Sequence, residues 1–366
     1  MTREQSVLLT LIRSAIHGAD VASLPEDIDW AALIDLATRQ GVGAIAADGL
    51  QRLYNAHPEW KLSLDRPENE SMKYDWFGQV FYAEESYAKY RHALAGLAKF
   101  YNERGFKMMV LKGYGCSLNY PVPEHRPCGD IDIWQFGQYK EADAALAREK
   151  GIKVDRSHHH HTVFYWKGQM VENHYDIINI YHHKSNRDLE QVFKELAADD
   201  SHSVEVEGQW VYLPSPNLHA LFLSRHAAGH FAAAEILLRH LLDWALFVKT
   251  HHAEIDWTWL QETVDRFGMT GIFRCFNAIC VEDLGFDANL FPADSLQAPA
   301  EKARVLADIF SPEVSQEIPK RMLPRVIWKY RRWKANEWKH RLCYKESMTS
   351  AFWSGVWLHL RKPSSI

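Results

Sequence analysis

Between Gly105 and Ile177 short apolar runs alternate with glycine and proline turns, a texture that predicts a small sheet. Phe106-Lys-Met-Met-Val-Leu111, bounded by Gly105 and Gly113, predicts a buried strand. A short helix is expected from Gly115 to Tyr120, followed by a turn at Pro121-Val-Pro123. Ile131-Asp-Ile-Trp134 alternates as a strand does, and Tyr139 to Lys150 carries a helical period. Val163 to Trp166 and Val171 to Ile177 predict two more strands joined at Lys167-Gly168. The order strand, helix, strand, helix, strand, strand predicts an α+β unit with a mixed sheet and flanking helices.

Helical patterns lie on both sides. Val7, Leu8, Leu11, Ile12 and Ile16 recur at helical spacing, and Asp29 is placed to cap a second helix that begins at Trp30. His57 to Asn69 reads as a loop, and helical character resumes from Ser71 to Tyr101. Leu218 to Ala228 and Ala232 to Val248 are strongly apolar helices. These patterns divide the 366 residues into four segments: an N-terminal helical region (1–100), a catalytic-type α+β domain (101–215), a helical domain (216–323) and a basic, Trp-rich tail (324–366).

Bulk properties exclude several classes. Hydrophobic residues at 47% are too many for a disordered chain. No stretch approaches the roughly 18 apolar residues of a spanning helix, and five cysteines without a CxxC pair suit a reducing compartment. A cytoplasmic protein without a transmembrane segment is the expectation.

Asp130 and Asp132 carry the chemistry. Separated by one residue on an expected strand, they project to one face. Carboxylates so close repel unless a cation lies between them. A hard divalent ion meets that need and keeps positions for phosphate oxygens. Alone, Asp-x-Asp is more often a turn or a solvated strand face, so the surroundings decide. Upstream, Val110-Leu-Lys-Gly-Tyr-Gly115 turns from strand to helix through glycine, with Lys112 adding positive charge. Downstream, Glu172, His174 and Asp176 alternate on one expected strand, and spacing leaves Glu172 and Asp176 open as the third carboxylate.

Leu111-Lys-Gly113, Tyr120-Pro, Arg126-Pro-x-x-Asp-x-Asp132 and Glu172-x-His174 together resemble the uncharacterised bacterial nucleotidyltransferase family of the polymerase-β-like superfamily. His226, Arg239-His-Leu-Leu-Asp243 and Ile255-Asp-Trp257 extend the resemblance, which spans roughly residues 10 to 285. It implies transfer of a nucleoside monophosphate from an NTP, ATP foremost, with Mg2+ or Mn2+. It implies that Asp130, Asp132 and Glu172 are the catalytic metal ligands, and it favours Glu172 over Asp176. Lys112, Gly113, Arg126 and His174 would serve nucleotide binding. The wider superfamily has a Gly-Ser pair where this chain has Lys112-Gly113, so its grip on the triphosphate must differ. A protein, a small molecule, a sugar phosphate or an RNA end would serve as acceptor. The alternatives are a nucleotide-binding module without turnover, an adaptor acting through the tail, and a histidine-based metallohydrolase.

Further features are the histidines and the basic tail. His158 to His161 form an internal run, able to chelate Zn2+ or Ni2+ adventitiously. His226 and His230, four apart, read as packed or site-lining residues, and Arg239 with Asp243 as a helix-surface ion pair. From Lys320 onward twelve Lys/Arg face two Glu, a local net of +10 in a chain of net −5. Trp328, Trp333, Trp338, Trp353 and Trp357 interleave with these charges. The mix suits an anionic partner, nucleic acid or membrane surface, and equally a helix packing its Trp side inward.

Overall fold

The structure, a computed structural model, describes residues 1–350 except 182, 313–318 and 320. Three helices open the chain: α1 (Arg3–His17), α2 (Trp30–Arg39) and α3 (Gly43–Ala56). The Thr2 hydroxyl and the Gln5 side chain cap α1 reciprocally, and Gly18 closes it in the left-handed conformation. Asp29 caps α2 by accepting the Ala32 N–H at 3.0 Å, as its position in the sequence suggested. Where α1 crosses α3 the two backbones touch: a Cβ on Gly49 would stand 1.9 Å from the Leu11 carbonyl oxygen. Gly49→Ala is therefore expected to force the helices apart and cost about 1–3 kcal/mol or more, read as a lowered denaturant midpoint. An unchanged midpoint would contradict that packing.

A six-stranded mixed sheet follows: β1 (Met109–Val110), β2 (Ile131–Trp134), β3 (His161–Trp166), β4 (Gln169–His174), β5 (Ser203–Val206) and β6 (Gln209–Tyr212). Their spatial order is β3-β4-β2-β1-β6-β5. β2 runs parallel to β4 and antiparallel to β1, which itself runs parallel to β6. The 33-residue helix α4 (Glu70–Asn102) precedes the sheet, while α5 (Tyr114–Ser117) and α6 (Tyr139–Lys150) lie between its strands. The α+β architecture with flanking helices is as the sequence pattern implied.

Alternation divides the sheet into two faces. Val110, Ile131, Ile133, Phe164 and Val171 pack with Tyr90, Leu94, Leu97 and Tyr101 of α4 and with Ala142 and Leu146 of α6. The same side holds a buried carboxylate, Asp143, which accepts hydrogen bonds from Thr162 and Asn173 at 2.9 Å each. Met109, Leu111 and Trp134 belong to the other face. They join one large core that draws members from α1–α3 and from α7 (Ser185–Leu196), α8 (Pro216–Ala233), α9 (Leu238–His251), α10 (Trp257–Arg266), α11 (Thr270–Glu282) and α12 (Lys302–Phe310).

Several expectations are corrected. The first strand is only Met109–Val110, not Phe106 to Leu111. β4 stops at His174 instead of continuing to Ile177, because the Tyr175 and Asp176 N–H groups both turn to the His160 carbonyl. Helix α7 and the β5–β6 hairpin were not anticipated. The hairpin turns at Glu207-Gly208, both at positive φ, as β3–β4 does at Lys167-Gly168. That shared x-Gly signal was available in the sequence.

In the tail, α13 (Met322–Ala335) leads into α14 (Glu337–Cys343), which returns to the helical core. Trp338 is buried there, and Lys339 forms a buried ion pair with Asp308 at 2.5 Å. Trp353 and Trp357 lie outside the described residues. Among the described residues no helix is long and apolar enough to cross a membrane.

Candidate active site

Strand register builds the site. β2 and β4 pair so that Asp132 stands beside Glu172 and Trp134 beside His174. β3 and β4 pair so that His161 stands beside His174. Neighbouring partners in a ladder share a face, so Asp132, Glu172, His174 and His161 all project to the side opposite α4 and α6. Asp132, Glu172 and His174 each bring a ligand atom within 4.8 Å of the others. Asp130 lies at the bend one residue before β2, not inside the strand as expected, yet reaches the same group. Lys112 Nζ sits 3.1 Å from Asp132 Oδ2 and 3.7 Å from Asp130 Oδ2.

The electrostatics follow from crowding. Burial and then the Asp132 charge push the Asp130 carboxyl above its usual range, against the pull of Lys112. Burial pulls the His174 imidazole down, but its hydrogen bond to Asp132 and the Glu172 carboxylate 3.7 Å away outweigh it and raise the group to about 9. Geometry agrees: one ring nitrogen faces the Asp176 carbonyl at 3.2 Å and the other Asp132 Oδ1 at 3.3 Å, so both must donate. Burial works to raise Glu172 too, and His174, His161 and Lys112 together hold it at about 2. Three carboxylates thus gather two cationic side chains, Lys112 and His174. That is the environment in which a divalent cation fits, since hard oxygen donors converge where positive charge is already drawn.

Asp176, the other candidate for the third carboxylate, does not join this group. Beyond the end of β4 its carboxylate pairs with Lys194 of α7 at 2.5 Å. Gly113 adopts φ 64° and ψ −107°, and a Cβ there would meet the Tyr90 hydroxyl at 2.4 Å, so the turn after Lys112 requires glycine.

Arg126 lies at the edge of the site, buried and bound bidentately. Its Nε and Nη2 donate to the two oxygens of Asp243 at 2.8 Å each. The Tyr120 hydroxyl donates to the same carboxylate at 2.7 Å. The expected surface pair between Arg239 and Asp243 is therefore corrected: Asp243 points inward to Arg126. Arg239 donates instead to the Pro127 carbonyl at 2.8 Å, and its Nε is buried with no hydrogen-bond partner.

A cleft opens between the sheet and the helices α8 and α9, lined by Lys112, Asp130, His226, His230, Arg239 and His240 among others. Its cavity volume is about 160 Å³, below the range of about 300–1,000 Å³ usual for small ligands. Burial pulls the His226, His230 and His240 imidazoles below their usual range, with His240 pushed down to about 3. Arg239 and His240 were missed as cleft residues because a helix pattern does not tell which turn faces a distant part of the chain.

A family profile described as uncharacterised nucleotidyltransferase matches residues 26–285, well over half of the chain. The chain belongs to this family. The match supports nucleotidyl transfer as its general activity and encompasses both the strand residues of the site and the helices that face them. No curated protein and no solved structure matches the chain.

Proposed function

We propose that the protein is a metal-dependent nucleotidyltransferase that moves an NMP from an NTP, ATP foremost, to a hydroxyl acceptor. The reading is carried by the pairing of Asp132 with Glu172 across parallel strands, with Asp130 and Lys112 beside them. Asp130, Asp132 and Glu172 would hold Mg2+ or Mn2+, which would offset charge on the phosphates and acidify the acceptor hydroxyl. In the reaction the acceptor oxygen bonds to the α-phosphorus, the bond to the β-phosphate oxygen breaks, and pyrophosphate leaves. Glu172 would receive or share the acceptor proton. Lys112 supplies charge to phosphate oxygens in place of the missing serine hydroxyl, and Gly113 lets the backbone approach. His174 holds Asp132 and Glu172 in place. Arg126, engaged by Asp243, acts as a positioning residue for the segment that leads into Asp130. Unpaired cysteines are in keeping with a cytoplasmic setting.

Calorimetry tests the reading. Each NTP with Mg2+ is titrated into wild-type protein and into Asp130→Asn/Asp132→Asn. Metal-dependent binding is expected in the first and at least about 100-fold weaker in the second. Absence of binding by any NTP at saturating Mg2+ would overturn the proposal.

A further inference from the structure

The histidine run builds a second group of ligands beside the carboxylates. His160, His161 and His174 each offer a ring nitrogen, and the three lie within 4.8 Å of one another. Two consecutive residues on a strand would point to opposite faces. Here His161 begins β3 while His160 is still in the preceding turn, so their rings meet, with centroids 4.3 Å apart. Both rings also approach His174, at 5.5 and 5.3 Å.

The arrangement is built into the fold. The His160 carbonyl accepts N–H groups from Tyr175 and Asp176 at 3.0 and 3.1 Å. The Tyr175 hydroxyl donates to the His158 carbonyl at 2.8 Å. These bonds stitch the histidine turn to the end of β4. His161 is only 7% exposed, and Nδ1 of both His160 and His161 is buried with no hydrogen-bond partner. A buried polar atom without a partner is costly unless something absent from the protein satisfies it. The turn's outermost member, His158, is exposed.

We infer that His160, His161 and His174 form a binding site for a late first-row divalent ion of the Zn2+ class, adjoining the carboxylate group but independent of Asp130 and Lys112; on binding, the ion displaces to solvent the proton that His174 otherwise directs to Asp132. Imidazole nitrogen suits such ions, whereas Mg2+ prefers oxygen ligands and dehydrates reluctantly. Glu172, whose Oε2 stands 3.7 Å from His161 Nδ1, borders the site and supplies the neighbouring negative charge.

The test uses full-length, untagged protein stripped with chelator and titrated with Co2+, whose visible ligand-field absorption reports nitrogen coordination. Stoichiometric binding that persists in excess Mg2+ is expected. His160→Ala/His161→Ala should weaken it by at least about 100-fold, as should His160→Gln to a lesser degree, while circular dichroism without metal shows each variant folded. Asp130→Asn and His158→Ala should retain it. Failure of wild-type protein to bind Co2+ would overturn the inference, as would full binding by the double variant. Loss in His158→Ala equal to that in the double variant would do the same, by assigning the binding to a surface chelating run. NTP binding with Mg2+ is read separately, so failure here leaves the transferase proposal standing and failure there leaves this one.

Discussion

Asp243→Ala is expected to lower folding stability by about 3–5 kcal/mol, the usual result of leaving one charge of a buried pair without its partner. Arg126 and Asp243 are 4% and 6% exposed, and the carboxylate accepts three hydrogen bonds, two from the guanidinium and one from Tyr120. Urea denaturation measures the loss as a shifted midpoint at unchanged slope, and a cost below about 1 kcal/mol would remove the pair from the structural account. Arg126→Met/Asp243→Leu should regain much of the stability, because matched apolar side chains avoid the desolvation of both ions. The double variant also separates two roles for Arg126. If it only positions the segment before Asp130, NTP affinity survives; if it touches phosphate, affinity falls with it. Burial pushes the Asp243 carboxyl up, and the Arg126 charge and hydrogen bonds overcome that and hold it below its usual range. The pair's contribution is therefore complete above the unfolded carboxylate value of about 3.9 and is lost as pH falls through the lower, folded value.

Glu172→Gln is expected to cut turnover by about 10²–10⁴-fold while NTP binding persists through Asp130, Asp132 and Lys112. Transfer of label from α-phosphate-labelled NTPs into protein, RNA and small-molecule fractions measures it without prior choice of acceptor. Asp176→Asn is the comparison. Its carboxylate is occupied by Lys194, so its loss should tell on stability more than on turnover. If Asp176→Asn stops transfer and Glu172→Gln does not, the assignment of the third carboxylate is wrong.

The Asp29 cap and several element bounds were legible from local chemistry. Asp29 before Trp30, the span of α6 and the Lys167-Gly168 turn each follow from residues close in sequence. The β5–β6 hairpin escaped although Glu207-Gly208 offered the same cue and Ser203-Val-Glu-Val206 alternates polar and apolar. The end of β4 could not be read at all. It depends on a main-chain hydrogen bond to His160, 15 residues earlier than Tyr175.

By itself the sequence determined which residue types were available and the period that places them: Asp-x-Asp at the head of a strand, Glu172 and His174 alternating on another, and glycine where the turn after Lys112 needs positive φ. Only the tertiary structure decided their partners. Parallel pairing brings Asp132 against Glu172, the turn at the head of β3 sets His160 and His161 against His174, and α9 turns Asp243 inward to Arg126. The physical reason is that period and propensity act over a few residues, whereas register, burial and charge pairing are fixed by contacts between segments tens to more than a hundred residues apart.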